Sequence, residues 1–89
     1  MLTYADVING IKTGGKFYRK AWSLPGEMKF IFLVNGSVFT VNREPLLSIL
    51  GEGTRVGYHA HIDMHYPDGS IATWTPSNED QLADDWMQL

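Results

Sequence analysis

Eighty-nine residues make one domain, residues 1–89, and a chain this short buries a modest share of its surface and gains from self-association. A composition of 44% hydrophobic and 19% charged residues is that of an ordinary globular protein, and the lack of cysteine excludes a disulfide framework and thiolate chemistry. A formal net charge of −3 argues against general binding of duplex nucleic acid, no apolar run reaches the length of a membrane span, and nothing at Met1 has the pattern of a signal peptide.

The charge is uneven. Residues 1–45 hold six Lys/Arg and three Asp/Glu, whereas residues 46–89 hold one Arg and seven Asp/Glu. Lys16, Arg19, Lys20, Lys29 and Arg43 are therefore the cations available to a small anion, if some of them converge.

In chain order, residues 3–13 read as a long helix. Thr3 and Asp6 form a capping box, Leu2 and Val7 hold the staple positions, and Tyr4, Val7, Ile8 and Ile11 make one apolar face. Gly14-Gly15 ends it, and Gly10 weakens it unless close packing requires a glycine there. Aromatic content predicts a strand over 16–22, then a turn over 23–27. The run Phe30-Ile31-Phe32-Leu33-Val34 predicts a strand over 28–34 with both faces covered. Asn35-Gly36 is the sharpest hairpin signal, with residues 37–41 as the returning strand.

Residues 44–50 read as a short helix with Pro45 in its first turn and Gly51 at its stop. A long strand is expected over 56–66, and Pro67-Asp68-Gly69 turns it back into residues 70–75. Ser77 and Asp80 form a second capping box, opening a short helix that faces Leu82, Ala83 and Trp86 inward. Met87-Gln88-Leu89 can add an edge strand. The expected fold is α+β: an antiparallel sheet of four or five strands with a long N-terminal helix and a short C-terminal one.

Along residues 58–66 the side chains alternate, with His59, His61, Asp63 and His65 on one face. Three imidazoles and a carboxylate invite a metal reading, but a straight strand carries four successive same-face residues too far apart for one ion. No metal or other cofactor is expected. The only enzyme reading the residues offer is a metal-assisted nucleotide hydrolase built on His59 and His61. Catalysis otherwise lacks support, because Ser77 has a cap to make and Gly14-Gly15 precedes a strand where a phosphate loop precedes a helix.

Trp74-Thr75-Pro76-Ser77, Asp80 and Leu82-Ala83-Asp84-Asp85-Trp86 resemble the C-terminal signature of the phage anti-Thoeris sponge family, small proteins that sequester a cyclic ADP-ribose-type immune signal. Tyr4-Ala5, Gly15-Lys16 and Arg19-Lys20-Ala21-Trp22 are similar to that family's helix and following Arg-x-x-Trp strand. Phe39 to Leu47 and Tyr58 to Met64 resemble its longer members. The resemblance implies a non-enzymatic binder of a small cyclic nucleotide signal, acting in the host cytoplasm as a homotetramer with sites between subunits.

For such a ligand, Trp22 and Trp74 are stacking candidates or core residues, and Arg19 is the phosphate candidate. Asn42 and Arg43 form a second polar clamp, and His61 and Asp63 offer a solvated or ligand-facing polar surface. Asp80 and Asp85 suit ribose hydroxyls, with Asp80 equally suited to capping Ser77, which completes the expected set. Two departures are visible: Ala21 stands where members often carry Gly, and residues 37–58 are present in some members and short in others. Cyclic oligonucleotides are the alternative ligand.

Overall fold

The Thr3 hydroxyl accepts from the Asp6 N–H at 3.3 Å, and the Asp6 carboxylate accepts from the Thr3 N–H at 2.9 Å. This reciprocal cap opens helix α1, Tyr4–Ile11, in a computed structural model that describes residues 1–22 and 28–89. The helix is shorter than the sequence predicts. Thr13 and Gly14 donate to Gly10 and Ile11 at 3.1 Å, three residues back, so the last turn tightens, and Gly14 leaves at φ +97°. Gly10 is there for packing: a Cβ would stand 2.5 Å from the end of the buried Phe17 ring.

Strand β1 is Phe17–Arg19 and ends three residues before the expected limit. Lys20–Trp22 turns instead as a 3₁₀ helix, because the Lys20 and Ala21 N–H groups donate to the Asp85 carbonyl and carboxylate. The turn expected over 23–27 lies outside the described residues. Strand β2 is Phe30–Val34, and of its residues only Ile31 is fully buried; the rest are half-buried, so the double coverage expected of this run is incomplete in one chain.

The hairpin expected at Asn35-Gly36 does not form. Strand β3, Ser37–Thr40, pairs with β4, Arg55–Tyr58, whereas β2 pairs with β5, His61–His65. The long strand expected over 56–66 is thus two strands with His59-Ala60 between them. The two ladders share one register: Val34 faces His61 on one side of the break, and Ser37 faces Tyr58 on the other. Together they form one long interrupted ribbon. At the break Gly36 lies so close to the other strand that a Cβ would sit 3.0 Å from the Tyr58 carbonyl oxygen.

At the ribbon's far end, a turn with a cis Glu44–Pro45 bond leads into helix α2, Leu47–Leu50, which stops at Gly51 with φ +86°. Pro45 therefore precedes this helix and is not in its first turn. Residues 37–58 make an arm whose Val38, Ile49 and Tyr58 are exposed, and the molecule is elongated, 48 × 27 × 22 Å.

After β5, the Asp68 carboxylate accepts from the Ser70 N–H and hydroxyl, and the chain returns as β6, Ile71–Thr73. Helix α3, Asn78–Leu82, opens with the Ser77–Asp80 capping box. Leu82, expected inward, is 85% exposed, because the chain becomes extended at Ala83 and only Ala83 and Trp86 turn to the core. Strand β7, Trp86–Gln88, pairs with β1, and Leu2 exchanges two backbone bonds with Trp86 on its other side.

The main sheet has the order β6-β5-β2-β1-β7 and is antiparallel throughout. Phe17, Ile31 and Met64 are register partners and so share a face. Val7 and Ile11 of α1 pack on that face, with Trp86 completing the buried core.

Candidate functional site

The expected site residues fall into three groups. The first lies where β1, α3 and β7 meet. Arg19 is buried, and its Nε donates to Asp85 at 2.9 Å while one terminal nitrogen donates to Asp80 at 3.0 Å and reaches Glu79 at 3.4 Å. Those bonds raise the Arg19 pKa, Asp85 foremost, and keep it charged. The same bond from Arg19 holds the Asp85 carboxyl below the usual carboxylate range. Burial pushes Asp80 up, but the Ser77 N–H and the Arg19 guanidinium outweigh it and the net shift is downward.

Asp80 therefore does two jobs that need no ligand: it caps Ser77 and pairs with Arg19. Asp85 accepts from both Arg19 and the Ala21 N–H. One guanidinium meets three carboxylates here, so this end of the molecule carries excess negative charge. The phosphate role expected of Arg19 is opposed by those acids, since a phosphate brought to it meets like charge.

The second group is aromatic. Trp22 and Trp74 are half-buried, with ring centroids 6.0 Å apart and edge-on, and both rings rest on the buried Trp86 at 5.1 and 6.2 Å. Tyr4 adds a fourth ring, 6.5 Å from Trp74 and 5.7 Å from Trp86. The Lys29 ammonium stands 5.2 Å over the Trp22 ring, within cation–π range. The Trp86 indole N–H donates to the Asp80 carbonyl at 3.0 Å, so the aromatic cluster and the carboxylate group are joined through one side chain. Trp22 and Trp74 are thus packed against the core while remaining partly open.

His61 and Asp63 stand on β5 beside the break in the ribbon, 3.3 Å apart. The other ring nitrogen of His61 lies 3.0 Å from the His59 carbonyl oxygen, and the ring is edge-on to Tyr58 at 4.9 Å. His61 consequently touches both sides of the break. His65 stacks on Phe30 and bonds the Met28 carbonyl at 2.7 Å. Among the described residues no group of three or more His, Cys, Asp or Glu is placed to hold a metal ion.

The third group sits on the arm. Asn42 and Arg43 line a cleft of about 290 Å³ together with Phe39, Val41, Glu44, Pro45 and Leu46. Sequence reasoning found the two polar residues but not the cleft, which the turn before α2 creates. It also missed Tyr4 and Glu79 as members of the other groups, because their partners lie some sixty residues or more away along the chain.

A family model for the Thoeris anti-defense 2-like domain matches residues 2–89. The chain belongs to this family. The match takes in all three groups, the arm included, so that the arm is part of the family domain and not an appendage to it. No curated protein matches the chain. Membership places the chain in defence against Thoeris, where the partner suggested is a small-molecule signal. Among the described residues no helix is long and apolar enough to cross a membrane.

Proposed function

We propose that this protein is a phage-encoded sponge that binds a cyclic ADP-ribose isomer, keeps it intact and so denies it to the Thoeris effector in the host cytoplasm. The observation that carries the reading is the family domain spanning 2–89. The half-open Trp22–Trp74 pair beside Lys29 supports it, since it offers ring faces and a cation to an aromatic base. Sequestration needs no chemistry. It needs protein in excess of signal and a dissociation constant below the signal's working concentration.

On this reading the protein is not an enzyme and acts as a homotetramer with ligand held between subunits. The half-buried Phe30, Phe32 and Val34 and the exposed arm residues supply apolar surface for such an assembly. The test is to saturate the purified protein with a cyclic ADP-ribose isomer, remove free ligand, denature by heat and identify what is released. Intact ligand at a fixed ratio to protein supports the sponge. A cleaved product turns the reading to an enzyme, and no retained ligand removes it; retention of a cyclic oligonucleotide instead would name the alternative signal.

A further inference from the structure

The arm cleft and the aromatic cluster of this protein are far apart. Trp74 bonds the Ile62 carbonyl, and Ile62 faces Leu33 in the β2–β5 ladder. From Leu33 the ribbon runs eight residues to Val41 in the arm cleft, roughly 25 Å at strand spacing. A single small ligand bound at the aromatic cluster of one chain does not reach the arm cleft of that chain. The two places differ in charge as well. The arm, residues 37–58, holds two Arg and two Glu, whereas the rest of the chain holds five Lys/Arg and eight Asp/Glu.

Within the cleft the polar groups are arranged for an anion. Arg43 is exposed, and among the described residues no carboxylate stands within ion-pair distance of it. The one acid in the lining, Glu44, accepts from the Ser48 hydroxyl at 2.8 Å and is thereby held toward α2. Asn42 adds an amide. Arg55 pairs with Thr40, the neighbour of Phe39 on the strand, and so lies on the other face of the ribbon from Phe39, leaving Arg43 as the cation of the lining. Phe39, Val41, Pro45 and Leu46 supply the apolar wall. The volume is at the small end for ligand sites and suits one ring with one charged group.

We infer that the arm cleft is an anion site in its own right, holding a phosphate through Arg43 and Asn42 with an attached flat ring against Phe39 and Pro45. Arg19, enclosed by Asp80, Asp85 and Glu79, has no part in it. The inference goes beyond the proposed function, since it gives the arm a nucleotide-phosphate site separate from the Trp22–Trp74 pair.

The probes are adenosine diphosphate and inorganic phosphate, titrated into the isotopically labelled full-length protein and followed by amide chemical shifts. Saturable shifts at Phe39, Asn42, Arg43 and Leu46 are expected with the nucleotide. Inorganic phosphate should move the same amides more weakly, since it lacks the ring. Arg43→Glu, at an exposed position that leaves the core intact, should weaken nucleotide binding about tenfold or more, as loss of a charged hydrogen bond implies. Shifts confined to Trp22, Arg19 and Lys29, no saturable shift at all, or cleft shifts that survive Arg43→Glu each overturn the inference. Because these probes are not cyclic ADP-ribose isomers, failure of such isomers to bind removes the proposed function and leaves a positive result at the cleft standing.

Discussion

Replacing Arg19 by methionine keeps the side-chain stem and removes the guanidinium. The side chain is 10% exposed, with bonds of 2.9 Å to Asp85 and 3.0 Å to Asp80. Each is charge-assisted and contributes about 1.5–3 kcal/mol. The contact to Glu79 is longer, and that carboxylate is 80% exposed, so solvent screens it to little effect. Arg19→Met also leaves Asp80 and Asp85 without their shared counter-charge. Losing one partner of a buried pair costs about 3–5 kcal/mol, and partial solvation of Asp85 moves the expected loss to about 3 kcal/mol. In a domain of this size that lowers Tm by roughly 12–24 °C. Thermal unfolding followed by circular dichroism measures it, with Glu79→Gln as a control expected to stay within about 0.5 kcal/mol of the parent. A Tm drop below about 4 °C for Arg19→Met would refute the view that this ion cluster ties β1 to α3 and β7.

Acid sensitivity follows from the same cluster. Asp80 and Asp85 are held below their unfolded values, so their contribution is complete above about pH 4 and is lost as pH falls further; Asp85→Asn should flatten that fall in urea-unfolding free energies, and an unchanged slope would count against it. Gly10→Ala ordinarily stabilises a helix, but here its Cβ meets Phe17, so a loss of about 1–3 kcal/mol is expected, and a gain would show that the ring yields. His61→Ala removes contacts on both sides of the ribbon's break; hydrogen exchange should quicken across residues 37–58 while β1 and β7 keep their protection, and uniform protection would show the arm is held by its backbone alone.

What the sequence made legible was local. The capping boxes at Thr3 and Ser77 need only residues three apart, and both formed. The turn at Asp68 was legible for the same reason, whereas the terminal strand expected over Met87-Gln88-Leu89 runs over Trp86–Gln88 and takes in Trp86, which the helical period had assigned to α3. Asn35-Gly36 misled because a good hairpin turn competes with a longer ladder: pairing β2 with β5 buries Ile31 against Met64, which an immediate return at Gly36 forgoes. The alternation around His59 persisted through the break and so concealed it. At the site, the residue types were visible but their grouping was not. Arg19 and Asp85 are 66 positions apart, and nothing local in either shows that they neutralise each other. Leu82 followed the helical period, yet it is the last residue of the helix and stays outside.

The shared register on the two sides of the ribbon's break makes arm length an adjustable dimension of the fold. Shortening β3 and β4 by the same number of residues leaves Val34 opposite His61 and the whole five-stranded sheet undisturbed. Trimming one strand alone forces a slip, and a slip of one residue would turn Phe30, Phe32 and Val34 toward α1 and carry Ile31 out of the core. Insertions and deletions in this arm are therefore expected to come in matched pairs, so that a binding surface at its tip can be lengthened, shortened or dropped without renegotiating the body that carries it.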